Sequence, residues 1–191
     1  MELIKDLITS KGKVYIISDT HFSHANIIKY CDRPYNDVNT MNDKIVENWN
    51  SVVTNEDTVI HLGDVGLGRD ETVVSMLHKL NGDKILIKGN HDHKKRVKLF
   101  KNLNLFNHVF SESINYYNAD IILSHRPIDL GQFAEGIINI HGHIHNSSMN
   151  SLYPDYINTH NNYNASLEMI GYKPILLDDI LKEMERYETN I

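Results

Sequence analysis

Apolar positions along the chain follow two rhythms. Short runs rich in β-branched residues occupy 14–18 (VYIIS), 58–62 (TVIHL), 84–88 (KILIK), 120–124 (DIILS) and 137–141 (IINIH), each stopped by a polar or glycine-containing turn. These predict strands. Between and after them lie stretches of helical period: 41–53, 71–80, a charged one at 93–101 and a last one at 178–187. Strand and helix therefore alternate from residue 14 to 101, which predicts an α/β fold. The runs show little internal alternation, as strands covered on both faces do. From about 105 to 175 the helical period gives way to interspersed Tyr, Asn and Ile, so this half is expected to be rich in β-structure. Asn and Ser crowd 146–166, a composition of loops and hairpins. No linker, repeat or low-complexity tract divides the chain, and a single domain over 1–191 is expected.

Composition narrows the classes. With 191 residues, 41% of them hydrophobic, the chain can bury a sizeable core. Its formal net charge of −6 supplies no general basic field, so strong nucleic-acid binding is not expected. Cys31 is the only cysteine, which excludes an intramolecular disulfide and a thiolate metal cluster and suits a reducing compartment. No run approaches the roughly 18 apolar residues of a membrane span, and the first residues lack the apolar stretch of a signal peptide. The expectation is a soluble cytoplasmic protein with no membrane partner.

The chemistry lies at the carboxyl ends of the predicted strands. Run 14–18 leads into Asp19-Thr20-His21, run 58–62 into Gly63-Asp64, and run 84–88 into Gly89-Asn90-His91-Asp92. Run 120–124 leads into His125, and run 137–141 into Gly142-His143-Ile144-His145. In α/β sheets such ends share one edge, where ligands bind. Carboxylates, imidazoles and an amide without thiolates suit Mn, Fe, Zn, Co or Ni better than an all-oxygen Mg or Ca cage. Glycines before Asp64, Asn90 and His143 allow close backbone approach.

This ordered set, Asp19-x-His21, Gly63-Asp64, Gly89-Asn90-His91-Asp92, His125 and Gly142-His143-x-His145, resembles the calcineurin-like metallophosphoesterase superfamily. The segment from Ser18 to Val53 is also similar to small bacterial and phage-type phosphoesterases. The resemblance implies a four-layer α-β-β-α sandwich, with two mixed β-sheets flanked by helices. It further implies two divalent metal ions, Mn foremost. Asp19, His21 and His145 would hold one, Asn90, His125 and His143 the other, with Asp64 bridging. A hydroxide shared by the two metals would attack the phosphorus. His91 would be the general acid, with Asp92 beside it setting its tautomer.

The implied activity is hydrolysis of phosphate esters, with a phosphodiester preferred over a monoester and a small or nucleotide-like phosphorylated substrate. A binding or scaffold module that keeps the fold without catalysis is the rival, and the complete ligand set together with His91 speaks against it. The sequence after Asp64, Val65-Gly66-Leu67-Gly68-Arg69, departs from the Gly-Asp-x-x-Asp-Arg-Gly of protein phosphatases, so a phosphoprotein substrate is not supported. His24, near Asp19-x-His21, and the two Arg-Pro pairs, Arg33 and Arg126, are candidate substrate contacts, since arginine binds phosphate bidentately. His61 and His141 are expected to be buried and hydrogen-bonded, His78 and His93 to be on the surface, and Lys94-Lys95-Arg96 to form a solvated helix face.

Overall fold

The computed structural model describes residues 3–112, 115–130, 136–146 and 161–188. Strands Val14–Ile17 (β1), Thr58–His61 (β2), Asp83–Ile87 (β3) and His108–Phe110 (β4) run parallel, and Ile175–Leu176 (β9) joins them antiparallel. Their order is β4-β3-β2-β1-β9. A second sheet takes Asn115–Tyr116 (β5), Ile121–Leu123 (β6), Ile138–His141 (β7) and Asn162–Asn164 (β8) in the order β5-β6-β7-β8, with only β5 antiparallel. Helices Ala25–Tyr30 (α1), Val38–Asn50 (α2), Asp70–His78 (α3), Lys94–Asn102 (α4) and Leu177–Glu188 (α5) complete the fold. It is the α/β sandwich of two mixed sheets with helices that the sequence leads one to expect.

Two apolar clusters explain why the strand runs lack alternation. Tyr15, Ile17, Val59 and Leu86 point to one face of the first sheet, where they pack with Phe22, Met41, Ile45, Trp49, Leu77 and Phe100. Ile16, Ile60, Ile85 and Ile87 point to the other face, against Ile121, Leu123 and Ile140 of the second sheet and against Leu177, Ile180 and Met184 of α5. Period two is present, but both faces are apolar, so it does not show in the sequence.

Local chemistry sets the helix bounds. The Asp37 side chain accepts from the backbone N–H groups of Asn39 and Thr40, so α2 starts at Val38, ahead of the apolar period that begins at Met41. α1 has six residues, less than two turns, and carries no readable period. β8 is Asn-Tyr-Asn and is placed by its partners, Asn139 and His141 of β7, rather than by propensity. Of the Asn- and Ser-rich stretch 146–166, residues 147–160 lie outside the described residues, and the remainder supplies β8. Among the described residues, no helix is long and apolar enough to cross a membrane.

The sheets meet at their carboxyl ends. Ser18, just past β1, donates its N–H to the Ala165 carbonyl just past β8 (2.9 Å), and Ser18 pairs with Ser166 in a parallel bridge. The loops that follow β1, β2, β3, β6 and β7 therefore converge on one place.

Candidate metal centre

The residues at that convergence adopt an unusual backbone. Asp19 (φ 58°), His21 (50°), Asp64 (57°), His143 (72°) and His145 (49°) all have left-handed conformations. Each costs a non-glycine residue on the order of 1–3 kcal/mol and persists only where the surroundings enforce it. Interlocking hydrogen bonds do so here: Asp19 N–H donates to the Gly63 carbonyl (3.0 Å), His21 N–H to that of Asp64 (3.0 Å), and His143 N–H to Asp19 Oδ2 (2.8 Å). A Cβ at Gly89 would overlap Asp64 Oδ1, and one at Gly142 would overlap Asp19 Oδ2. These two positions admit only glycine because the carboxylates, and at Gly142 the Ser18 hydroxyl as well, press against their backbone.

The side chains form two groups. Asp19, His21 and His145 each offer a ligand atom within 4.8 Å of the others, and so do Asp64, His125 and His143. Asp19 Oδ1 is 3.8 Å from His21 Nε2 and 3.7 Å from His145 Nε2. These spacings are too long for hydrogen bonds but suit atoms each about 2.1 Å from a common ion. Asp19 Oδ1 and His21 Nε2 are buried and have no hydrogen-bond partner. Such atoms are costly unless something binds them, and their convergence fits a divalent cation. Asp64 Oδ2 lies between the groups, 3.7 Å from His21 Nε2 and 3.4 Å from His125 Nε2, while its Oδ1 accepts the His91 N–H (2.8 Å). Asn90 Oδ1 joins the second group, 2.9 Å from His125 Nε2.

Neighbours fix which nitrogen His125 and His145 present. His125 Nδ1 donates to the Leu62 carbonyl (2.8 Å), which turns Nε2 into the site. His145 Nδ1 is 3.1 Å from Glu168 Oε2, which leaves Nε2 toward Asp19. Carboxylates and carbonyls behind metal-binding histidines orient the ring and raise its basicity. Burial lowers the His145 pKa, but Asp19, the Cys31 hydrogen bond and Glu168 outweigh it, and the value is raised to about 11. For His125, burial is outweighed by Asp64, Asp19 and the Leu62 carbonyl, raising it to about 9. Burial would raise the Asp19 carboxyl, yet His145, His125 and His21 hold it well below the ordinary carboxylate range. Burial keeps His21 neutral, with a pKa lowered to about 3 despite Asp19 and Asp64, and lowers His143 to about 4 with His125 and Arg126 adding.

Some expected roles take another form. Asp92 does not address the His91 ring: its oxygens accept backbone N–H groups from Asp64 (2.8 Å), Val65 (3.1 Å) and Gly89 (2.9 Å), tying the β2 and β3 loops together. Burial outweighs those bonds and pushes its carboxyl up to about 6. Arg33 is 3% exposed, and its guanidinium donates to the carbonyls of Asp19 (2.7 Å) and Thr20 (2.9 Å) and to Glu168 (2.7 Å). It is a brace inside the fold, so the candidate substrate contact at Arg33 gives way to a buried ion pair with Glu168. Glu168 itself carries no motif signal, because it lies in sequence far from every ligand it serves.

Arg126 stays at the rim, with Nη1 2.7 Å from His143 Nε2 and Nε 3.0 Å from Glu112. Within the basic run, Arg96 is no solvated side chain: it pairs with Asp70 (2.6 Å) and donates to the carbonyls of Gly66 and Gly68, fastening the loop after Asp64 to α4. His61 and His141 are buried and hydrogen-bonded, to Thr20 and Gly63 for the first and to the Gly142 carbonyl for the second. His78 and His93 are exposed.

His91 and His24 line a cavity of about 490 Å³ together with His21, Asp64, Asn90 and His145. The rings of His21 and His91 are 5.6 Å apart.

Comparison with known proteins bears on this arrangement. Residues 12–190 match the family model described as calcineurin-like phosphoesterase. An uncharacterized protein of Methanocaldococcus jannaschii is 38% identical over 179 residues, covering 93% of this chain and 94% of that protein. The crystal structure of a protein of unknown function from Aquifex aeolicus aligns with a TM-score of 0.69 and 30% identity, over 89% of this chain and 98% of that one.

Proposed function

That this chain belongs to the calcineurin-like phosphoesterase family, metal-dependent hydrolases of phosphate esters, is the premise from which we propose its reaction: hydrolysis of a small phosphodiester at a site for two divalent ions, with His91 as general acid. The observation that carries the reading is the carboxylate of Asp64, 3.7 Å from His21 of one ligand group and 3.4 Å from His125 of the other, on the wall of the cavity that His91 also lines. Asp19, His21 and His145 would hold one ion, Asn90, His125 and His143 the other, and Asp64 both. Manganese suits this oxygen-and-nitrogen set, and Fe, Zn, Ni and Co are the alternatives. When bound, such a pair supplies Lewis acidity, which lowers the pKa of water toward about 7 and neutralises phosphate charge.

The chain's own groups do the rest. The Asp64 carboxylate takes the His91 N–H, which fixes that residue's backbone beside the cavity. From there the His91 imidazolium gives its proton to the departing alkoxide and recovers it from solvent. Arg126, at the rim, meets a phosphate oxygen. A diester carries one negative charge at the phosphorus, and its leaving group is an alkoxide that needs a proton, which is the step His91 serves. Replacing His91 by Ala is expected to leave metal content intact and lower turnover about 10²–10⁴-fold. The loss should be largest on esters with poor leaving groups. Equal losses on activated aryl esters and on alkyl esters would remove His91 from that role.

A further inference from the structure

The cavity at the candidate metal centre has a second, unlike wall. Beside the ligands it is lined by Ile27 and Tyr30 of α1, by Cys31 just past its end and by Leu67 of the loop after β2. Its volume of about 490 Å³ falls in the range of sites that enclose a whole small molecule, about 300–1,000 Å³. A phosphate group alone would leave that wall untouched. Tyr30 is 68% exposed, the most exposed of the large hydrophobic side chains found on the surface among the described residues; the others, Leu103 and Met169, do not line this cavity.

The Tyr30 ring is held edge-on by His24, with centroids 6.2 Å apart and planes at 73°. His24 in turn has Nδ1 3.4 Å from Nδ1 of the ligand candidate His21. An exposed aromatic, steadied by a second ring that touches the metal centre and flanked by buried Ile27 and half-buried Leu67, has the makings of a stacking platform. Flat rings, bases included, stack on such side chains irrespective of sequence or substituent.

We propose that the α1 wall is a subsite for a flat aromatic group carried by the ester, a nucleobase or an aryl ring, with Tyr30 as its stacking face. The proposal rests on the phosphoesterase reading, because that reading places the phosphate at the ligand end of the same cavity. Stacking acts on binding, so it is read without turnover by using phosphonates, whose C–P bond the reaction does not cleave.

The test is calorimetric titration of Mn²⁺-loaded protein with methylphosphonate, phenylphosphonate and the 5′-phosphonate of adenosine. The aromatic ligands are expected to bind about tenfold tighter than methylphosphonate. Tyr30→Phe should keep that ratio and Tyr30→Ala should bring it close to one. A preference confined to one aromatic ligand supports the subsite and identifies its occupant as base or aryl ring. Equal affinities in the unaltered protein, or a ratio that survives Tyr30→Ala, overturn the subsite while leaving the phosphoesterase reading standing. Failure of all three phosphonates to bind a protein that has taken up Mn²⁺ overturns the subsite, while the phosphoesterase reading is decided separately by hydrolysis of a diester.

Discussion

At the scale of residues, the sequence makes the site legible where a motif and a strand end coincide. Asp19, His21, Asp64, Asn90, His125, His143 and His145 each follow a recognisable apolar run, and the fold brings all of them to one place. The supporting residues are illegible for a physical reason. Glu168 acts through His145, and Arg33 through Glu168 and the Asp19 carbonyl, and contacts that span 14, 23 and 135 residues leave no spacing signature. Adjacency in sequence points Asp92 at His91, yet its oxygens take the backbone N–H groups of Asp64 and Val65 after β2 and of Gly89 in its own loop.

Glu168 gives a sharp prediction. Glu168→Gln keeps the shape but removes the charge behind His145, so metal affinity should fall about 10–100-fold, measured by titration of metal-free protein. Unchanged affinity would reduce Glu168 to a partner of Arg33.

At the scale of elements, both faces of the first sheet are apolar, and the largest side chain buried against it is Trp49 of α2, fully buried with Nε1 donating to the Asn81 carbonyl (3.0 Å). Trp49→Ala should cost about 3–5 kcal/mol in denaturant unfolding. A loss below about 1 kcal/mol would mean that α2 contributes little to the core. Apolar period revealed α2, α3, α4 and α5, but the starting point of α2 depends on a polar cap, while α1 and β8 depend on neighbours that no local pattern announces.

The approach to β2 carries a pH dependence. Burial would raise the Asp57 carboxyl, but the Thr54 and Lys13 backbone N–H groups and the Thr54 hydroxyl donate to it and hold it below the usual range. A lowered carboxylate value contributes stability that is complete above the unfolded value of about 3.9 and is lost as pH falls through the lower folded value. Asp57→Asn should therefore destabilise at pH 7, and the gap between the two proteins should narrow in acid. A gap that stays constant down to pH 2 would contradict this origin.

At the scale of the whole molecule, two mixed sheets meeting at their carboxyl ends turn five separate loops into one pocket, and the charge inside it is arranged for a cation. His145 and His125 have pKa values of about 11 and about 9, so both carry a proton near neutral pH that an incoming metal must displace. Loading is thus expected to release about two protons, and affinity to rise with pH, steeply to about 9 and less steeply from there to about 11, since binding requires the unprotonated ring. Calorimetry in buffers of different ionisation enthalpy counts those protons, and no release would contradict the assignment of these two histidines.

The central claim, a phosphoesterase working with two ions bridged by Asp64, is tested most directly by following hydrolysis of a bis-aryl phosphodiester while metal-free protein is titrated with Mn²⁺. The account predicts activity that climbs to a plateau at two equivalents. A plateau at one equivalent, or no hydrolysis at any ratio, would contradict it.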